Sequence, residues 1–311
     1  MNEVSPIIET KGLKRDFKST TAVDELTLSI APGELFGLVG PDGAGKTTTL
    51  RLLAGLLSLT GGEANILGFD LKSQAESIKP HVGYMAQQFS LYGEMSVLEN
   101  LQFFAELFDV SKQEQKERTQ RLLEFAGLTE FTDRRAAKLS GGMQKKLALA
   151  CTLIHQPAIL LLDEPTTGVD PVSRREFWNI LTELHVQGTT IIVSTPYMDE
   201  ADRCSRVGLM YAGVLVECDT PRNIRGRLDG DIIQVQAEDW QKALETVADL
   251  EGVRETQTYG EAVNLLVDNG RKRVREIERA LKKSRIKYRS VRIAPARMEE
   301  AFISLIRKME E

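Results

Sequence analysis

The stretch Leu35-Phe36-Gly37-Leu38-Val39-Gly40-Pro41-Asp42-Gly43-Ala44-Gly45-Lys46-Thr47 decides the fold of this chain. Its first five residues are apolar and predict a strand, and the segment 45–57 that begins within it predicts a helix. Gly40, Gly43 and Gly45 leave room for backbone N–H groups to turn inward around an anion. Lys46 would add a point charge, and the Thr47 hydroxyl is a suitable Mg²⁺ ligand. The stretch therefore predicts a phosphate-binding loop at the N-terminus of a helix.

Two carboxylates after a second apolar run complete this predicted site. The run 158–162 is apolar on both faces, which is typical of a central parallel strand, and Asp163 and Glu164 follow it. Ligands of open α/β sheets bind at the carboxyl ends of the strands. We expect Asp163 to hold Mg²⁺, directly or through water, and Glu164 to orient and deprotonate an attacking water. Asp-Glu after a strand is also an ordinary helix-start signal, but the phosphate loop favours the catalytic interpretation.

Alternating strand and helix patterns predict an α/β fold with a doubly wound core over residues 1–228. Helical patterns alone fill the region from about 88 to 155, which predicts a helical subdomain inserted into that core. Residues 229–311 follow the order β-α-β-β-α-β of a small split βαβ domain and end in an amphipathic helix. The predicted core strands are Leu35–Val39, Val82–Met85, Ala158–Leu162, Thr190–Ser194 and Val207–Tyr211.

Composition limits the class of protein. The chain has 311 residues, a formal charge of -5 and 42% apolar residues, which favours a globular protein and argues against a basic nucleic-acid-binding domain. No apolar run reaches the roughly 18 residues that cross a bilayer, and no leader sequence is evident. Three cysteines without metal-type spacing indicate reduced thiols and a cytosolic location.

The stretch Leu139-Ser140-Gly141-Gly142-Met143 precedes a predicted helix over 143–154. Ser140 can act as an N-cap, or the helix start can bind an anion. With this stretch the chain resembles the ATP-binding-cassette (ABC) ATPases, whose signature is of the Leu-Ser-Gly-Gly-Gln type. The resemblance extends over residues ~7–228 and includes the order of the motifs as well as their residue types. The further motifs are Gln87, Gly168-Val169-Asp170 and Val193-Ser194-Thr195-Pro196.

The resemblance implies a P-loop NTPase core of the ABC type that binds ATP and Mg²⁺. It implies that Glu164 and Gln87 are catalytic and that Thr47, Gln87 and Asp163 hold the metal, with Gln88 as the alternative to Gln87. It also implies a head-to-tail pair of cassettes, in which the signature of one faces the phosphate loop of the other. Phe17 would stack on adenine, or else be a buried strand residue. The implied nucleotide contacts are Phe17, Gly40, Asp42, Gly43, Ala44, Gly45, Lys46, Thr47, Thr48, Ser140, Gly141, Gly142 and Asp170.

Pro196 departs from the family pattern, which has a histidine that contacts the γ-phosphate at this position. Proline has no side-chain donor, and loss of one such donor typically costs roughly 10²–10³ in rate. We therefore expect reduced ATP hydrolysis, or alternatively a degenerate cassette that acts as a nucleotide-dependent dimerisation switch. Asp42 and Met143 are smaller departures, in place of the usual Asn and Gln. Together these letters resemble the amino-terminal cassette of tandem ABC-2-type exporter ATPases.

That resemblance implies an energising subunit of an ABC-2-type transmembrane permease, peripheral to the cytoplasmic face of the inner or plasma membrane. A soluble ABC protein of DNA repair, translation or cluster assembly is the other alternative, and no nucleic-acid partner is expected. The resemblance also implies a groove that binds a permease helix, and exposed apolar residues after Gln87 would line it. The alternative is that these residues belong to the core. The candidates are Phe89, Leu91, Tyr92, Met95 and Val97.

The segment 271–292 carries eleven Lys or Arg against Glu276 and Glu278. Such a run is usually a solvated face. The alternative is contact with anionic lipid headgroups or an acidic partner.

Overall fold

A computed structural model describes residues 5–88 and 91–310. The chain divides into two compact units, Met1–Pro221 and Arg222–Glu311. The domain boundary predicted from the sequence, between residues 228 and 229, lies a few residues further on and remains a prediction.

The first unit contains two sheets and their helices. Its strands are β1 (Ile8–Phe17), β2 (Thr20–Ile30), β3 (Leu35–Val39), β4 (Gly61–Ile66), β5 (Phe69–Asp70), β6 (Val82–Met85), β7 (Ile159–Asp163), β8 (Thr190–Thr195), β9 (Arg206–Tyr211) and β10 (Val214–Asp219). Its helices are α1 (Lys46–Leu53), α2 (Ala75–Ile78), α3 (Val97–Leu107), α4 (Lys112–Ala126), α5 (Gly141–Leu153) and α6 (Pro171–Val186), and α7 (Pro221–Gly226) lies at the unit boundary.

The larger sheet is the predicted α/β core. Its strand order is β10-β9-β3-β8-β7-β6, and all pairings are parallel except that of β10 with β9. All residues of β3, β7 and β8 are buried, as expected for central strands covered on both faces. The five predicted strands are present within one residue of their predicted ends. The predicted helix 45–57 is shorter, because Gly55 adopts a left-handed φ of 67° just after α1 and ends it.

A four-stranded antiparallel sheet, with the order β2-β1-β4-β5, was not predicted from the sequence. Register shifts interrupt the pairing of β1 with β2 between Thr10 and Leu13 and again between Leu13 and Arg15. Each shift breaks the period-two alternation on which strand prediction depends. Ile8, Leu13 and Leu26 are nevertheless fully buried in the core of the unit.

The predicted helical subdomain is formed by α3, α4 and α5, and the described residues between 88 and 155 contain no strand. Capping explains the helix bounds. Ser96 and Glu99 form a capping box at the start of α3, and Ser111 accepts from the Glu114 backbone at the start of α4. Gly127, in the left-handed region, ends α4.

The second unit has the predicted β-α-β-β-α-β order. Its elements are β11 (Asp231–Ala237), α8 (Trp240–Val247), β12 (Val253–Tyr259), β13 (Ala262–Val267), α9 (Gly270–Lys283), β14 (Tyr288–Ala294) and α10 (Met298–Glu310). The sheet order is β12-β13-β11-β14, with antiparallel pairing throughout. Met298, Ala301 and Phe302 of α10 are buried, so the apolar stripe of this helix is used in packing.

Candidate functional site

The loop 40–45 joins β3 to α1, and steric contacts explain its glycines. A Cβ on Gly40 would lie 2.2 Å from the Met210 carbonyl oxygen. Gly45 has φ of +100°, and a Cβ there would lie 2.3 Å from the Ala22 carbonyl oxygen. Gly43 has φ of +80° with open space around it, so its constraint is conformational. Side chains at Gly40 and Gly45 would therefore collide with neighbouring backbone, and the loop keeps its path, which we call the cradle, only with glycine at these positions.

Lys46, the first residue of α1, is 3% exposed and lies in this cradle. Its ammonium group donates to the carbonyl oxygens of Gly40 at 2.8 Å and Pro41 at 3.0 Å. The same nitrogen lies 3.2 Å from Oε1 of Glu164, whose side chain is 6% exposed. A buried charge of this kind is stable only when paired. Lys46 thus has all its donors directed at oxygens at the mouth of the loop.

Asp163 ends β7, is fully buried and accepts three hydrogen bonds. Thr47 donates to its Oδ1 at 2.9 Å, Ser194 donates to the same oxygen at 2.8 Å, and Tyr84 donates to Oδ2 at 3.2 Å. Burial raises the pKa of the Tyr84 phenol, so this group stays a proton donor. Thr47 and Asp163, predicted to act together, are therefore in direct contact.

Glu164 has φ of 46°, a strained value for a residue with a side chain. Its backbone N–H donates to Oγ of Ser194 at 2.9 Å, which holds that conformation. Its Oε2 accepts from Nε2 of Gln87 at 2.8 Å and from Oγ1 of Thr167 at 3.3 Å. The carboxylate predicted to activate water is thus held between the phosphate-loop lysine and Gln87.

Ser194 and Tyr84 were not identified from the sequence. Both lie on strands that pair with β7. Ser194 on β8 is the register partner of Asp163, and Tyr84 on β6 is the register partner of Leu161. Strand register would have placed polar side chains at these two positions beside the carboxylates, but register is not visible before pairing is known.

The donor set fits a magnesium ion. The hydroxyl of Thr47 and the carboxylate of Asp163 are hard oxygen ligands, which Mg²⁺ prefers together with phosphate oxygens and water. Among the described residues, no cluster of three or more His, Cys, Asp or Glu could form an all-protein metal cage. A site with few protein ligands is consistent with an ion that is shared with phosphates.

The predicted signature lies at the start of α5. Ser140 is the N-cap, and its Oγ accepts from the Met143 backbone at 3.3 Å. Gly141 is exposed, and a Cβ there would meet no atom within 4 Å. Among the described residues, no hydrogen bond or ion pair joins Ser140, Gly141 or Gly142 to the phosphate loop of the same chain. The structure shows the capping role of Ser140 and leaves an exposed helix tip.

The hydrogen bonds and exposure of the remaining predicted site residues are as follows. Asp170 is the N-cap of α6 and accepts from the Val172 and Ser173 backbones at 3.0 Å. Hydrogen bonds from the side chain and then the backbone of Ser173 lower the pKa of its carboxyl. Phe17 is 41% exposed at the end of β1, with the Arg15 guanidinium carbon 4.6 Å from its ring centroid. The alternative that Phe17 is a buried strand residue is therefore wrong. Asp42 is exposed, Ala44 is buried and Thr48 is half-buried.

Of the candidate groove residues, Phe89 lies outside the described residues. Tyr92 is 48% exposed, and Leu91 and Met95 are half-buried. Val97 is fully buried, which for this residue agrees with the alternative that it belongs to the core. It is the first residue of α3, and helix packing buries its side chain.

The basic run 271–292 spans α9 and β14 of the second unit. Arg273 is 3% exposed and pairs with Asp268 at 2.8 Å and Glu276 at 2.6 Å, so it belongs to the structure of that unit. The hydrogen bonds that Arg273 donates to Asp268 lower the pKa of that carboxyl to about 2. The other ten basic residues of the run are all exposed.

A glycine cradle between β3 and α1, with an Asp-Glu pair at the end of β7, two strands away in the same parallel sheet, defines a P-loop nucleotide-binding domain. The family model described as ABC transporter matches residues 23–167. The chain is 43% identical over 225 residues to the probable multidrug ABC transporter ATP-binding protein YbhF of Escherichia coli (strain K12). That alignment covers 72% of this chain and 39% of YbhF, so the chain spans well under half of that relative.

A relative of similar length also matches. The daunorubicin/doxorubicin resistance ATP-binding protein DrrA of Streptomyces peucetius is 32% identical over 303 residues, which cover 96% of this chain and 92% of DrrA. Among solved structures, the dimer of the ATP-binding cassette MJ0796 with ADP and Pi has a TM-score of 0.63 at 26% identity, covering 68% of this chain and 98% of that one. This chain belongs to the ABC transporter family, and its first unit has the fold of an ATP-binding cassette.

A search of the described residues for a helix with the length and hydrophobicity of a membrane span found none.

Proposed function

We propose that this chain binds ATP with Mg²⁺, hydrolyses it at the carboxyl ends of β3, β7 and β8, and thereby energises an ABC-2-type exporter. One observation supports this most strongly. Glu164 lies with one carboxylate oxygen 3.2 Å from Lys46 and the other 2.8 Å from Gln87. A general base is thus placed beside both a phosphate-binding cation and a polar amide, as phosphoryl transfer to water requires.

The phosphates would bind in the cradle of loop 40–45. The N-terminus of α1 points its free N–H groups there, and Lys46 adds the positive charge. An incoming γ-phosphate would compete with Glu164 for the Lys46 ammonium, which frees the carboxylate to accept a proton from water. Thr47 and Asp163 would hold the metal, which when bound neutralises charge on the phosphate oxygens.

Glu164 would orient and deprotonate the attacking water, and Gln87 would hold the other side of it. Ser194 stabilises this geometry, because its hydroxyl donates to Asp163 and accepts from the Glu164 backbone. A residue in a strained conformation next to a phosphate site is typical of a preorganised catalytic group.

Replacing Glu164 by Gln tests the assignment. The change keeps size and the contact with Gln87 but removes the base, so ATP turnover should fall by roughly 10²–10⁴ while ATP still binds. Glu94, whose side chain is 86% exposed, provides the matched control in Glu94→Gln, which should hydrolyse ATP normally. Turnover by Glu164→Gln close to that of the unchanged protein would refute the catalytic role.

The complete ATP site would require a second cassette. Ser140 and Gly141 are exposed at the tip of α5, where helix N–H groups can bind an anion presented by another molecule. MJ0796, which resembles this chain, is a dimer with ADP and Pi bound. We therefore propose that ATP is sandwiched between the phosphate loop of one cassette and the α5 tip of another, in a homo- or heterodimer.

Pro196 favours a second candidate function, a nucleotide-dependent dimerisation switch with little hydrolysis. Pro196 directly follows β8. The hydroxyl of the preceding residue, Thr195, donates to buried Glu200. None of the described hydrogen bonds brings a histidine to Glu164. Pro196→His should raise ATP turnover at least tenfold if the missing donor limits the rate. Unchanged turnover in a well-folded variant would count against that explanation.

The proposed membrane partner is an export permease. DrrA is named as a drug-resistance ATP-binding protein and YbhF as part of a multidrug transporter, which supports export. The exposed Tyr92, five residues after Gln87 in the sequence, is a suitable contact for a permease helix. A chain of this kind would be peripheral to the cytoplasmic face of the inner or plasma membrane, bound to the permease.

A further inference from the structure

Lys145 lies on α5 and extends from the signature helix to the loop of Gln87. Its ammonium group donates to the Gln87 backbone carbonyl at 2.5 Å. The side chain is half-buried, and burial lowers the pKa of its amine, while the carboxylates of Asp163 and Glu164 oppose that effect by attraction. A cation on the signature helix therefore lies within electrostatic reach of the site's two carboxylates.

This contact completes a continuous path of polar bonds. Lys145 donates to the Gln87 carbonyl, the Gln87 side chain donates to Glu164 at 2.8 Å, and Glu164 pairs with Lys46 at 3.2 Å. The path begins five residues after Ser140, on the helix whose tip is exposed, and ends in the phosphate cradle. A movement of α5 would be transmitted to the position of Gln87 and so to the catalytic carboxylate.

The neighbouring polar residues of α5 are directed elsewhere. Lys146 pairs with Glu176 on α6 at 2.5 Å, and Gln144 donates to the Ala136 carbonyl at 3.1 Å. Three consecutive polar side chains thus make three different contacts, and Lys145 alone of the three contacts the Gln87 loop. This difference separates a specific contact from the general polarity of the helix surface.

We propose that Lys145 is a positioning residue that couples the two ATP sites of a cassette pair, by tying the signature helix to Gln87. The inference rests on the proposed function, in which the α5 tip of one chain contacts ATP bound by the other. ATP at the partner's site would fix α5, and through Lys145 it would fix Gln87 against Glu164 in this chain's own site. Hydrolysis at one site would then depend on occupancy of the other.

The experiment compares three variants of the full chain. Lys145→Met removes the donor and keeps the length of the stem, Lys145→Arg restores a cationic donor, and Lys146→Met is the matched control one residue away. Each is assayed for ATP turnover over a range of ATP concentrations, for ATP binding by a fluorescent analogue, and for thermal stability.

We expect Lys145→Met to lower kcat about tenfold and to bring the Hill coefficient for ATP close to one, with ATP affinity changed less than twofold. Lys145→Arg should recover most of both, and Lys146→Met should retain the cooperativity of the unchanged protein. A merely structural role would lower thermal stability without changing the Hill coefficient.

Unchanged kcat and cooperativity in Lys145→Met would overturn the inference, as would equal losses in Lys146→Met. Failure of the proposed function and failure of the Lys145 role give different results. If the unchanged protein neither hydrolyses ATP nor forms pairs, the proposed function fails. If it does both, cooperatively, and Lys145→Met behaves identically, only the coupling role fails.

Discussion

Replacing Lys46 by Met should weaken both nucleotide binding and the folded state. Lys46 and Glu164 are each nearly excluded from water, at 3% and 6% side-chain exposure, and their charged atoms lie 3.2 Å apart. Removing one partner of a buried pair costs about 3 kcal/mol, because the other charge is left uncompensated. Loss of a charge-assisted bond to phosphate, worth about 1.5–3 kcal/mol, should weaken ATP binding by roughly ten- to a hundredfold.

A double-mutant cycle makes the reasoning quantitative. Glu164→Gln removes the charge that Lys46→Met would leave unpaired, so the double variant should be less destabilised than the sum of the singles by about 1–2 kcal/mol. Urea denaturation measures the stabilities, and titration with a fluorescent ATP analogue measures the affinities. Additive stabilities, together with unchanged ATP affinity in Lys46→Met, would refute the proposed role of the pair.

Three further predictions concern the site and its surroundings. Gly45→Ala should abolish ATP binding because its Cβ would lie 2.3 Å from a backbone oxygen, whereas Gly43→Ala, with open space around it, should only weaken binding; equal effects would contradict the steric account. Ser194→Ala should destabilise the fold by about 1–3 kcal/mol, measured by urea denaturation, and lower turnover, because buried Asp163 loses a donor; a neutral effect on both would contradict this. Burial lowers the pKa of His155 from 6.5 to about 4. Between those pH values the unfolded chain binds a proton that the folded chain does not. The free energy of unfolding should therefore decrease as the pH is lowered from 6.5 to about 4. His155→Phe should flatten that dependence in denaturation experiments, and an unchanged slope would exclude His155 as its source.

The sequence predicted the parallel core well because its strands are short, uniformly apolar and followed by helices with clear caps. The bounds of β3 and β6 agree with the prediction, and α6 shows such a cap, because it begins at a proline preceded by the N-cap Asp170. The antiparallel sheet was missed because register shifts in β1 disturb its alternation. Local patterns identify strands and helices reliably when apolar residues recur at a regular spacing, and they fail when the pairing between strands is irregular.

Motif spacing brought out the residues that carry the proposed chemistry, and the structure brings Lys46, Glu164, Gln87 and Asp163 together. Motif spacing did not identify Ser194, Tyr84 or Lys145. Their positions beside the carboxylates depend on strand register and on how α5 packs against the Gln87 loop, which are properties of the tertiary structure. The sequence also left open whether Val97 is exposed or part of the core, and its side chain is packed in the core.

The central claim is that ATP is bound between the phosphate loop of this chain and the exposed α5 tip of another cassette. The most direct measurement is the mass in solution of the Glu164→Gln variant, by light scattering after size-exclusion chromatography. The account predicts pairs with ATP and single chains with ADP, and loss of the pairs when Ser140 is also replaced by Arg. A mass that stays that of one chain at saturating ATP, alone and mixed with a partner cassette, would contradict it.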